Sequence, residues 1–133
     1  MRTMAHKITF YIKPENQAHT LSELILSLSP KSIYIHANDH NHANMLSDLL
    51  WQHPKDRFIP NVINQDCPQS VILIGYETPP KRDIIINASS STLDSVNIEW
   101  VISTNPDVLA NARIRYKHWQ SKGHALTCIQ SES

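Results

Sequence analysis

The last part of the chain concentrates the side chains best able to hold a charged ligand. No acidic residue lies between Asp107 and Glu132, and the span holds Arg113, Arg115, Lys117 and Lys122 with His118 and His124. Its local charge is +4 without histidine. On a helix Arg113, Tyr116 and Lys117 stand at i, i+3 and i+4, so they share one edge, and Leu109 lies one turn earlier. Val108, Ala112 and Trp119 fall on the adjoining face and are expected in the core. Cations near a helix C-terminus complement its dipole. That accounts for Lys117 and Lys122, but not for an acid-free helix and final strand. An arginine fork, a lysine field and an aromatic wall suit an acidic peptide ending in a hydrophobic residue and a free carboxylate. Single-stranded nucleic acid is a weaker match, because four charges and one or two aromatics are few for that role.

A second candidate is the stretch from Leu49 to Pro60, which carries Trp51, Pro54 and Phe58. Trp51 either closes an amphipathic helix in the core or stands at an interface. Phe58, between Arg57 and Pro60, is harder to bury. Aromatics held in a proline-stiffened loop suit an interface anchor, with a satellite core as the alternative.

Other residue types point away from catalysis. Three of the eight histidines, His36, His40 and His42, sit close together, but no cysteine or second spaced motif completes a metal set. Ser89-Ser90-Ser91 lacks the glycines of a nucleophile elbow and reads as a polar turn. Asp83 and Glu99 on neighbouring strands could form a carboxylate pair, though such groups are more often solvated or paired with a cation such as Arg82. The two glycines, Gly75 and Gly123, are too far apart for a phosphate-cradling loop. Neither an enzyme, a metal nor a cofactor is expected.

The elements that must position these residues follow from periodicity. Apolar runs predict strands over residues 7–12, 32–36, 71–76, 83–88, 96–102 and 124–129. Leu21, Leu24, Ile25 and Leu28 mark one helix, capped by Thr20 or an earlier polar residue. Ala43, Leu46, Leu49 and Leu50 mark a second, over residues 39–51. A third starts at Asn105-Pro106 and ends at Gly123 in a left-handed cap. Residues 54–69 read as loop, and 130–133 as frayed. Over 133 residues, with 41% hydrophobic and 12 basic against 12 acidic side chains, this predicts one α/β domain. Its central sheet is largely parallel and flanked by helices, like nucleotide-binding folds but without their glycine-rich loop. Two cysteines 61 positions apart predict free thiols. With no long apolar run, a cytoplasmic protein without membrane contact is expected.

Three short motifs carry a resemblance. Leu50-Trp51, Pro54, Phe58 and Pro60 match Leu-Trp-x-x-Pro-x-x-x-Phe-x-Pro. Arg82-Asp83-Ile84-Ile85-Ile86 matches a family strand. Ala112-Arg113, Arg115-Tyr116-Lys117, Trp119 and Gly123 match the closing helix. In this order, together with the strand Thr9-Phe10-Tyr11, they resemble the chi subunit family of bacterial DNA polymerase III, the accessory protein of the clamp loader. The resemblance implies a non-catalytic replication adaptor in a heterodimer with the psi subunit. It implies binding of the acidic C-terminal tail of single-stranded DNA-binding protein, with any DNA contact indirect. Carried over by position, Arg113, Tyr116 and Lys117 bind the tail beside Leu109, and Ile102 with Cys128 walls a pocket for its terminal Phe. Trp51, Pro54 and Phe58 form the psi face, which in some bacteria serves a helicase-like repair protein. Leu109 stands where better-known members carry a lysine, so this tail site has one cation fewer. The alternative from the fold alone is a degenerate nucleotide-fold enzyme or a small-anion-binding module.

Overall fold

Short runs of isoleucine set the sheet of this protein. The structure, a computed structural model, describes residues 7–12, 17–28, 31–52, 59–65, 67–68, 71–77, 80–93, 95–101 and 106–130. In chain order the elements are β1 (Lys7–Ile12), α1 (Gln17–Leu28), β2 (Ile33–His36), α2 (His40–Gln52) and β3 (Asn61–Ile63). They continue with β4 (Ile72–Gly75), β5 (Ile84–Asn87), β6 (Ile98–Val101), α3 (Pro106–Ser121) and β7 (Ala125–Gln130). The seven strands form one sheet in the order β3-β4-β2-β5-β6-β1-β7, and every neighbouring pair is parallel.

Alternation along the strands divides the core into two layers. Ile33, Ile35, Ile74, Ile84, Ile86 and Trp100 pack with Leu21 and Ile25 of α1 and with Leu46 and Leu50 of α2. On the other face Ile8, Phe10 and Val101 pack with Ala112 and Trp119 of α3. A sheet covered on both faces needs apolar side chains on both, which is why β2, β4 and β5 read as continuous apolar runs.

Polar groups fix the joins. Asp39 caps α2, its Oδ1 accepting from the His42 N–H at 2.8 Å, while His42 Nδ1 accepts from the Asn38 N–H at 3.0 Å. Ser32 and Asp83 exchange backbone-to-side-chain bonds of 3.1 and 2.8 Å, pinning the start of β2 to that of β5. Thr20 lies inside α1 and so is not its cap.

Two expectations are corrected. The segment 54–69 is not all loop, because β3 lies within it and pairs with β4. Its buried Asn61 donates to the Ile59 carbonyl at 3.0 Å and accepts from the Ser47 hydroxyl, a peg between this edge strand and α2. Gln130 is not frayed, since it stands opposite Ile12 at the end of β7.

Gly75 ends β4 where no side chain fits. A Cβ there would lie 2.8 Å from both the Tyr34 hydroxyl and the Asn64 side-chain oxygen. Tyr34 is buried and its hydroxyl bonds His36 Nδ1 at 2.7 Å, so the ring has nowhere to retreat. Burial and the charge of Glu77 push the Tyr34 hydroxyl up to about 12. Gly75→Ala is expected to cost about 1–3 kcal/mol through overpacking, read as a lower denaturation midpoint at unchanged m-value.

Burial also holds His36 and His42 below the ordinary histidine value of 6.5, although Asp39 opposes it at His42. Both therefore bind a proton less readily folded than unfolded. Their contribution to stability is complete above 6.5 and is lost as pH falls through the lowered folded values. Denaturant melts between about pH 5 and 8 are expected to show a smaller acid-side loss for the His36→Gln/His42→Gln double variant than for wild type.

Candidate partner-binding surface

The helix α3 is defined at both ends. Pro106 opens it with Asp107 in the first turn, as a helix N-terminus favours. At the other end Gly123 adopts a φ of +86°. Its N–H bonds the Gln120 carbonyl at 3.0 Å, and the His124 N–H bonds that of Trp119 at 3.3 Å. This pair is the Schellman arrangement, which glycine permits because its left-handed backbone carries no Cβ. The expected cap Asn105 lies outside the described residues.

What seats α3 on the sheet is a buried carboxylate. Glu99 of β6 is 0% exposed and Arg115 of α3 is 2% exposed. Glu99 Oε1 accepts from Arg115 Nε at 2.9 Å and from Asn87 Nδ2 at 3.0 Å, and Oε2 accepts from Trp119 Nε1 at 2.9 Å. Burial pushes the Glu99 carboxyl upward, opposed by the Arg115 charge and by the donated bonds. All three partners are donors, so the network is matched to the ionised form.

This network withdraws Arg115 from the +4 charge of the acid-free stretch and leaves the expected edge of Leu109, Arg113, Tyr116 and Lys117 without it. Val108, Ala112, Arg115 and Trp119 lie at i, i+4, i+7 and i+11, one inward face of the helix. Arg113, Lys117 and Lys122 remain exposed, so three of the four cations face solvent. The spacing to Trp119 was the available signal for Arg115, but its partner Glu99 lies 16 residues away. Nor do Asp83 and Glu99 pair. Asp83 holds Ser32, and Arg82 donates to the Val71 carbonyl at 2.9 Å and to Cys67 Sγ at 3.1 Å.

The remaining residues of the edge do come together. Tyr116 is half-buried with its ring 5.3 Å from that of Phe10, and Leu109 packs into the same cluster. Arg113 and Lys117 stand outside them in solvent. Phe10 stands opposite Cys128, which is exposed on the edge strand β7. Partners in parallel register share a face, so Cys128 borders the Tyr116 side of α3. The result is a cationic rim over an aromatic floor. Ile102 lies outside the described residues.

Trp51 sits elsewhere. It lies in the last turn of α2 and is 50% exposed, so the core does not absorb it. Because α2 and α3 cover opposite faces of the sheet, the two candidate surfaces are separated by the sheet itself. Pro54 and Phe58 lie outside the described residues. The clustered histidines have separate tasks: His36 bonds Tyr34, His42 accepts from the Asn38 N–H ahead of α2, and His40 lies 3.5 Å from the Tyr76 hydroxyl. Among the described residues no group of three or more His, Cys, Asp or Glu is placed to hold a metal. No described helix is long and apolar enough to cross a membrane.

Residues 4–127 match the sequence model of the family described as DNA polymerase III chi subunit, HolC. No curated protein matches the chain.

Removing one member of a buried ion pair strands the other. Arg115→Met is therefore expected to cost about 3–5 kcal/mol. Adding Glu99→Leu should recover most of that loss. Chemical denaturation of the single and double variants checks both.

Proposed function

The chain belongs to the DNA polymerase III chi subunit family, and on that premise we propose that its α3 edge binds the acidic C-terminal tail of single-stranded DNA-binding protein. The family is a non-catalytic accessory of DNA polymerase III. In this reading the chain is an adaptor. Arg113 forks onto a carboxylate, Lys117 and Lys122 supply the field, and Leu109 and Tyr116 receive the apolar terminal residues. The Trp51 end of α2, with Pro54 and Phe58, takes the psi subunit and so links the tail to the clamp loader.

One observation carries the proposal. Arg113 and Lys117 are exposed beside Tyr116, whose ring rests on Phe10, in a stretch with no acid from residue 108 to 131. Exposed cations attract an acidic peptide from a distance, and the aromatic floor gives its apolar end somewhere to go. Leu109, packed into the core cluster, makes the inner wall apolar and leaves fewer charges at the site.

Binding of a fluorescent tail peptide is expected to weaken as salt rises, because steering between exposed charges is screened. Arg113→Ala should cost about 1.5–3 kcal/mol of affinity, the range of a charge-assisted hydrogen bond. Wild-type affinity in that variant would refute the site. Phe58→Ala should release the psi partner and leave tail affinity unchanged, measured by co-purification and by peptide anisotropy on the same preparation.

A further inference from the structure

The two edges of the sheet are not alike. At one edge β3 is three residues long, between Pro60 and Asn64, whose φ is +48°. A short strand closed by a proline and a left-handed residue offers little to pair with. At the other edge β7 runs for six residues, Ala125–Gln130, in unbroken register with β1. It carries no charge, no proline and no bulge, the usual guards of an exposed edge. Among the described residues no strand lies beyond it.

The register tells which backbone groups of β7 are open. The N–H and C=O of one residue point to the same side of a strand, and successive residues alternate. Thr9 donates its N–H to the Asn97 carbonyl at 3.1 Å, so it faces β6, and Ile8 and Phe10 face β7. Ile8 stands opposite Leu126 and Phe10 opposite Cys128. In a parallel ladder each then pairs with the residues flanking its partner, Ala125 and Thr127 for Ile8, Thr127 and Ile129 for Phe10. The backbone groups of Leu126, Cys128 and Gln130 are left pointing outward. The Leu126 and Cys128 side chains share the α3 face of the sheet with Ile8 and Phe10, and Leu126 packs against that cluster.

Helix α3 packs on β7 as well as on β6. Its flank toward this edge is the cationic one. Asn111 lines a small cavity with Asn38, Ser90 and Arg115 beyond β2 and β5. Arg113 is about 200° further round the helix, on the β7 side. Arg113 and Lys117 are exposed, and Lys122 is exposed just ahead of the strand. These charges decide what suits the edge. Two copies joined β7 to β7 about a twofold normal to the sheet would set two such flanks on one face, cation against cation. An acidic strand has the opposite sign.

We infer that an acidic peptide binds in extended form as an added strand on β7, its main chain pairing with Leu126, Cys128 and Gln130. Alternate side chains of that strand enter the trough between β7 and α3. There carboxylates meet Arg113 and Lys117, and apolar groups meet Tyr116 and Leu126. The inference rests on the tail binding proposed above and adds how the tail is held, by backbone bonds as well as by side chains.

Amide hydrogen exchange of the full wild-type chain, with and without saturating tail peptide, tests it. The Leu126 and Cys128 amides, open in the free chain, are expected to exchange at least about tenfold more slowly in the complex. Tail peptides N-methylated at alternate amides give a second readout. One register is expected to bind about tenfold more weakly, and the other as the parent does. Cys128→Pro removes one outward N–H where an edge strand tolerates proline, and is expected to weaken binding about fivefold, whereas Cys128→Ala is not. A bound peptide that leaves the two amides open, or equal affinity for the two methylated registers, would overturn strand addition and leave the α3 tail site standing. Wild-type affinity in folded Cys128→Pro would do the same. No binding of the parent peptide would overturn both. Amides of Leu126 and Cys128 already protected in a dimer of the free chain would overturn the inference in favour of a second copy.

Discussion

A carboxylate with 0% exposure in the middle of a parallel sheet is costly unless it is fully met, and Glu99 is met by three donors from two elements. Asn87 reaches it from β5, and Arg115 and Trp119 reach it from α3. Apolar contact alone would let a helix slide or roll over a sheet at small cost. Directional bonds from Arg115 and Trp119, one turn apart, fix both its rotation and its height. Buried ion pairs are weak sources of stability. Here the consequence is orientational: with Arg115 turned inward, Arg113 and Lys117 must face outward.

The same rotation divides the helix between two tasks. One flank carries Leu109 and Tyr116 against Phe10 and presents cations to solvent. The other carries Asn111 against the loops beyond β2 and β5. An all-parallel sheet with helices on both faces thus occurs in a sequence without a glycine-rich phosphate loop, and Arg115 lies near the carboxyl ends of its central strands. The fold does not decide which chemistry is hosted; the side chains placed at its edges do.

Much of this was legible in the residues because it is local. Isoleucine runs marked the buried strands, and Pro106 and Gly123 bracketed α3, the glycine in the left-handed backbone its position implied. The edge of Leu109, Arg113, Tyr116 and Lys117 followed from helical spacing. What was not legible depends on partners distant in sequence. The strand β3 is three residues between Pro60 and the positive-φ Asn64, with only the pairing to β4 to define it. Arg115 reads as a surface cation until Glu99 is known to lie beneath it. The cavity beside Arg115 is assembled from the loops that follow β2 and β5, the end of β6 and a helix, and no motif announces it.

The separation of α2 from α3 by the sheet has a consequence for how two ligands would meet. Close-packed layers are stiff, so Trp51 on one side and Arg113 on the other are held at a fixed span. A species captured at one surface is presented to the other at an effective concentration set by that span, not by the wandering of a flexible linker. Among the described residues no side chain is shared by the two packed clusters beneath these surfaces, so their binding free energies should add with little coupling. In the proposed adaptor role the molecule would act as a rigid spacer, raising the chance of encounter without making either grip depend on the other.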